Sequence, residues 1–96
     1  MLKITEVRAA VVAEIEALLL EEDEDTAQVR GTARLHDIGL NSLMLARLIV
    51  QLEGVVGGDP FVAGLAEIAD VRTVDDLVAA YERVAGALGV PVGSPS

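Results

Sequence analysis

The chain has no cysteine, no tryptophan and only one histidine. Without cysteine there is no disulfide frame, no thiolate nucleophile and no cysteine-built zinc cluster. Phe61 and Tyr81 are the only aromatic residues. The core must therefore be aliphatic, built of Leu, Val, Ile and Ala, a composition that favours helices. Long apolar runs are also missing: the longest fall far below the ~20 residues that a membrane span requires. The opening Met-Leu-Lys-Ile-Thr-Glu lacks the charged region, apolar stretch and cleavage site of a signal peptide. Together these absences predict a soluble, cytoplasmic protein.

Positive charge is scarce as well. Seven Lys and Arg stand against 16 Asp and Glu, a net charge of −9. Such a chain repels nucleic acid and anionic membrane surfaces and suits partners with basic patches. The hydrophobic share of 52% is too high for a disordered chain. A length of 96 residues fits one small domain with a single modest core.

Helical spacing organises what is present. Ile4, Val7, Val11, Ile15 and Leu18 recur on one side of a first helix over residues 3–20. Glu21-Glu-Asp-Glu-Asp25 then opposes the helix dipole, so the helix ends at Leu20 or Glu21. The run lacks the glycine and ligand spacing of a calcium loop. It reads as a solvated charge run, and no metal site is expected. Residues 22–41 form a long loop anchored by Val29, Leu35, Ile38 and Leu40. Loops of this length in a compact domain usually have a function.

A second helix runs over residues 42–56, with Leu45, Leu48, Ile49 and Leu52 as its stripe and Asn41 or Ser42 as its cap. A short third helix is expected over Val62–Ile68, although Gly64 weakens it. Thr73-Val-Asp-Asp76 reads as a capping box for a last helix, with Val74, Leu77, Val78, Tyr81 and Val84 facing inward and Gly86 and Gly89 ending it. The domain should span residues 1–88, and "GVPVGSPS" at 89–96 reads as a flexible tail. The pattern predicts an all-α four-helix bundle: three longer helices, a short third one, and a long loop between the first two.

The stretch Asp37-Ile-Gly-Leu-Asn-Ser-Leu43 carries the chemistry. It resembles the attachment motif of acyl and peptidyl carrier proteins, Asp/Glu-x-Gly-x-Asp-Ser-Leu, at the start of the second helix of four. Asp37, Gly39, Ser42 and Leu43 match, and Asn41 replaces the usual Asp. The long first loop, the apolar second helix, the short third helix and the Thr-Val start of the last helix fall in family order. The resemblance covers roughly residues 3–86.

The resemblance implies a carrier-protein bundle whose Ser42 receives 4'-phosphopantetheine from coenzyme A, with Asn41 and Leu43 supporting the site. The thiol of that arm then holds acyl or aminoacyl groups as thioesters, which accounts for a cysteine-free chain. It also implies a protein that is not itself an enzyme. The implied partners are a phosphopantetheinyl transferase, an acyltransferase or adenylation enzyme that loads the arm, and ketosynthase or condensation-type enzymes that use it. A serine at a helix start is exposed, and the positive dipole end suits a phosphodiester. A bare helix cap is the plainer reading of Ser42, and an unmodified helical interaction module is the alternative function. Pairing His36 with Ser42 as a hydrolase lacks a Gly-x-Ser-x-Gly elbow.

In the family the second helix is the docking surface, and fatty-acid carriers line it with acids. Here Leu43, Met44, Arg47 and Val50 are expected to form that surface, and Glu53 is the helix's only acid. This points to polyketide or nonribosomal peptide assembly rather than to a generic fatty-acid carrier. Met1 lies two or three residues before the first helix and no second domain follows, so a discrete, monomeric carrier is expected. The tail would also pass as a linker fragment of an excised domain.

Overall fold

A computed structural model describes residues 3–21 and 29–88. Helix α1 spans Val7–Glu21 and follows a single 3-10 turn, Ile4–Glu6. The backbone N–H of Lys3 donates to Glu6 Oε1 at 2.9 Å and fixes that turn. Helix α2 spans Ser42–Val56 and helix α3 spans Val74–Leu88, with a second 3-10 turn at Ile68–Asp70 between them. Among the described residues there is no strand, and one isolated antiparallel bridge pairs Arg34 with Thr73.

Three stripes build the core. α1 contributes Val7, Val11, Ile15, Leu18 and Leu19; α2 contributes Met44, Leu48, Leu52 and Val56. α3 adds Val74, Leu77, Val78, Tyr81 and Val84, and the loop before α2 adds Leu35, Ile38 and Leu40. Full burial of such a side chain is worth about 1.5–3 kcal/mol, and this sum, rather than helix propensity, holds three helices of 15 residues together. The expected stripe on α2 is rotated slightly: Met44 and Val56 are buried, while Leu45 and Ile49 lie at its edge.

Tyr81 is the largest side chain fully enclosed in this core. Its hydroxyl donates to the Ile49 carbonyl at 3.4 Å, and Phe61 meets its ring edge-on at 6.4 Å. Burial, reinforced by the charges of Asp59 and Glu53, pushes the Tyr81 hydroxyl pKa far above its ordinary value.

The expected third helix over Val62–Ile68 is corrected. Asp59 Oδ1 accepts the Phe61 and Val62 amides at 2.8 and 3.3 Å, and Gly64 sits at φ 75°. A side chain that competes for backbone amides and a left-handed glycine both break a helix. The segment is a set of turns, and only Ile68–Asp70 closes a 3-10 turn. Of the two glycines expected to end the last helix, Gly86 lies inside α3, which runs to Leu88, the residue before Gly89. Glycine costs a helix interior only about 0.5–1 kcal/mol relative to Ala, which buried Val84 and Ala85 offset. The tail expected at 89–96 and residues 22–25 of the acidic run lie outside the described residues.

The capping box at α3 is present. Asp76 N–H donates to Thr73 Oγ1 at 3.1 Å, and Asp76 Oδ2 accepts the amides of Arg72 and Thr73 at 3.0 and 3.1 Å. These backbone bonds, Arg72's first, hold the Asp76 carboxyl below the usual carboxylate range.

Candidate functional site

The loop before α2 ends in a defined turn. Residues 34–38 form one helical turn that closes at Gly39, whose φ is 97°. The Leu40 amide reaches back to the Leu35 carbonyl at 3.0 Å, and the Gly39 amide to the His36 carbonyl at 3.2 Å. This paired return is a Schellman motif, and its hydrophobic contact is supplied by buried Leu35 and Leu40. The left-handed φ favours glycine, the one residue without a Cβ.

α2 begins two residues later. Asn41 is its N-cap: the side-chain oxygen accepts the Met44 amide at 2.9 Å, and the Asn41 carbonyl accepts from Leu45 at 2.9 Å. Ser42 is therefore the first helical residue and not the cap. Its side chain is exposed, and among the described residues its hydroxyl has no hydrogen-bond partner. The plainer reading of Ser42 as a cap thus assigns it a task that Asn41 performs. The first-turn amides of Ser42 and Leu43 stay available, with the positive end of the helix behind them.

Ser42 opens onto a groove of about 590 Å³. Leu35 and Leu40 form one part of its wall, Leu45 and Val71 another, and Arg34, His36 and Arg72 supply polar edges. A backbone clasp brings these distant segments together. The Leu35 amide donates to the Arg72 carbonyl at 2.9 Å, Val74 to Ala33 at 3.0 Å and Asp75 to Gly31 at 2.8 Å. The long loop is thereby fastened to the start of α3. His36 shares the groove with Ser42, but no hydrogen bond joins them, so a serine–histidine couple is not assembled.

The expected docking residues divide. Leu43 is 72% exposed and Val50 is 69% exposed, both on the outer side of α2. Arg47 is also exposed and pairs with Glu21 at the end of α1, at 3.5 Å. Met44 is corrected: it is only 6% exposed and packs into the core, one residue round the helix from Leu43. The groove residues Arg34, Leu35, Val71 and Arg72 were not legible beforehand. They meet through pairing over almost 40 positions; the apolar Leu35 read only as a loop anchor, and Arg34 and Arg72 stood out only by basic character in an acidic chain.

A lone exposed hydroxyl, a helix start and an adjoining groove suit covalent attachment of a phosphate-linked arm. The family described as the phosphopantetheine attachment site matches residues 9–81. The chain belongs to this family, whose domain is the site of covalent 4'-phosphopantetheine attachment. The fold is similar to the solution structure of MacpD, an acyl carrier protein from Pseudomonas fluorescens involved in mupirocin biosynthesis. The two chains are 38% identical, with a TM-score of 0.73, over 97% of this chain and 79% of that one. No curated protein sequence matches the chain. No helix among the described residues is long and apolar enough to cross a membrane, and no described His, Asp or Glu cluster forms a metal site.

Proposed function

We propose that Ser42 is the residue that takes 4'-phosphopantetheine, and that the protein carries acyl or aminoacyl intermediates between the enzymes of a specialised, polyketide-type pathway. The observation that carries this reading is the division of labour at the start of α2, where Asn41 caps and the Ser42 hydroxyl stays unengaged and exposed. When attached, the cofactor supplies the thiol that the sequence lacks. Ser42 contributes the oxygen of the new phosphodiester. The unpaired amides at the start of the helix favour negative charge near it. Leu43 supports the site as an exposed neighbour for an enzyme to grip. Among the described residues no side chain is hydrogen-bonded to the Ser42 hydroxyl, which fits a carrier that is not itself an enzyme and leaves catalysis of attachment to the transferase.

The likeness to MacpD supports a polyketide setting, and so does the outer side of α2. Leu43, Arg47 and Val50 make that side apolar and basic rather than acidic, and this is the proposed docking surface. Its readers are the phosphopantetheinyl transferase, the acyltransferase or adenylation enzyme that loads the arm, and ketosynthase or condensation-type enzymes. The working form is a cytoplasmic monomer, where coenzyme A and these enzymes meet.

Intact mass after incubation with coenzyme A and a broad-specificity transferase tests the proposal. A gain of about 340 Da, absent in Ser42→Ala, is expected. No gain with any transferase overturns it in favour of an unmodified helical interaction module.

A further inference from the structure

The groove beside Ser42 differs in charge from the rest of the molecule. Among the described residues Arg34, His36 and Arg72 line it and no acid does, in a chain with 16 acids and seven Lys and Arg. Three of the other five Lys and Arg side chains are committed elsewhere. Arg8 pairs with Asp75 at 2.7 Å, Arg47 with Glu21 at 3.5 Å, and Arg83 donates to the Leu65 carbonyl at 2.9 Å. The side chains of Arg34 and Arg72 have no hydrogen bond or ion pair among the described residues. Arg72 feels the charge of Asp76, but that carboxylate is already spent on the Arg72 and Thr73 amides.

We propose that Arg34 and Arg72 form an anion-binding rim that holds the phosphodiester of the arm attached to Ser42, so that the arm rests in the groove. The inference rests on attachment at Ser42. Three observations converge on it. Ser42 lines the same groove, so a phosphate esterified to its hydroxyl has its oxygens at the groove's mouth. Guanidinium groups match phosphate oxygens with charge-assisted, bidentate hydrogen bonds. Leu35, Leu40, Leu45 and Val71 give the groove an apolar wall beside the polar His36 and Asn41, and about 590 Å³ exceeds what a phosphate alone fills, leaving room for the body of the arm. In a chain of net charge −9 an added phosphodiester would otherwise be repelled. The two arginines convert that repulsion into local attraction.

The test compares amide NMR spectra of the apo protein and of the protein loaded to completion, with loading verified by intact mass. Attachment should shift the amides of Leu35, Leu40, Leu45 and Val71, and the shifts should shrink as salt rises to about 0.5 M, where screening is strong. In Arg34→Gln/Arg72→Gln the shifts beyond the immediate neighbours of Ser42 should be lost, while Arg34→Lys/Arg72→Lys should retain part of them. Shifts of equal size in the Gln variant overturn the proposal. Shifts that appear only after a carboxylated acyl group is loaded also overturn it, because the arginines would then read cargo. Free 4'-phosphopantetheine titrated into the apo protein, with unphosphorylated pantetheine as control, tests the rim without attachment. Groove shifts with the phosphorylated probe alone, reduced in the Gln variant, support the rim even if Ser42 is never modified. Equal shifts with both probes, or none with either, overturn it.

Discussion

Asn41 Oδ1 accepts the Met44 amide at 2.9 Å, and that single bond leaves the adjacent Ser42 hydroxyl with no structural duty. Removing the bond and removing the hydroxyl should therefore have opposite signatures. Asn41→Ala should cost about 1 kcal/mol in urea unfolding, the usual loss for a cap. Ser42→Ala should stay within about 0.5 kcal/mol of the parent while losing the mass gain. A large stability loss in Ser42→Ala would assign the hydroxyl a role that this geometry denies it. Asn41→Asp keeps the acceptor and adds a negative charge at the positive helix end, so it should raise stability by about 0.3–1 kcal/mol.

Gly39 closes the turn before α2 at φ 97°. Gly39→Ala should destabilise by about 1–2 kcal/mol, the penalty of a left-handed conformation for a residue with a Cβ. Transferase loading of this variant should slow as well, because the turn aims the start of α2. A stability equal to the parent's in urea unfolding would contradict the strained geometry.

Asp76 gives the fold an acid limb. Its native pKa lies below the ordinary 3.8, so its contribution is present above that value and is lost as pH falls through the lowered native value. Asp76→Asn should melt lower than the parent at neutral pH, and the two curves should converge in strong acid. Parallel pH profiles of melting temperature would exclude the capping carboxylate as the cause.

Tyr81 sets the alkaline limb with the opposite sign. Its pKa is raised by burial, so the unfolded chain ionises first and stability falls as pH rises past the ordinary value of 10.0. Tyr81→Phe removes a hydrogen bond that is long at 3.4 Å, so it should cost only about 0.5–1 kcal/mol at neutral pH. It should also flatten the alkaline decline in melting temperature.

Arg47 and Glu21 are both exposed, and a surface pair of this kind contributes about 0–1 kcal/mol. Arg47→Glu should accordingly fold nearly as well as the parent. It should lower kcat/KM of a cognate loading or condensing enzyme by a larger factor than the stability change explains. Equal kcat/KM for parent and variant would remove Arg47 from the docking surface.

The helices were legible because their apolar residues recur with the helical period, and α2 begins and ends where that pattern placed it. Ser42 was singled out by the resemblance of its heptapeptide to the carrier attachment motif, and it stands exposed at the start of α2. Met44 was misplaced because Leu43 and Met44 look alike in sequence, while a rotation of about 100° per residue sends one to solvent and the other inward. The segment from Val62 to Ile68 was read as a short helix because Asp59 competes for its first amides through its side chain, which apolar periodicity does not register. The groove escaped because Arg34 and Arg72 meet only through the bridge at Thr73.

The clasp between the long loop and α3 is made by main-chain atoms at Leu35, Arg72, Ala33 and Val74. Backbone bonds do not depend on which side chains their residues bear. The exposed positions along the clasp, Arg34 and Arg72 among them, are therefore open to exchange without loosening it. Retention of the loop and the polarity of the groove's edge are thus separately adjustable. The same scaffold can be retuned toward a different tethered chemistry by two surface substitutions, leaving its interior untouched.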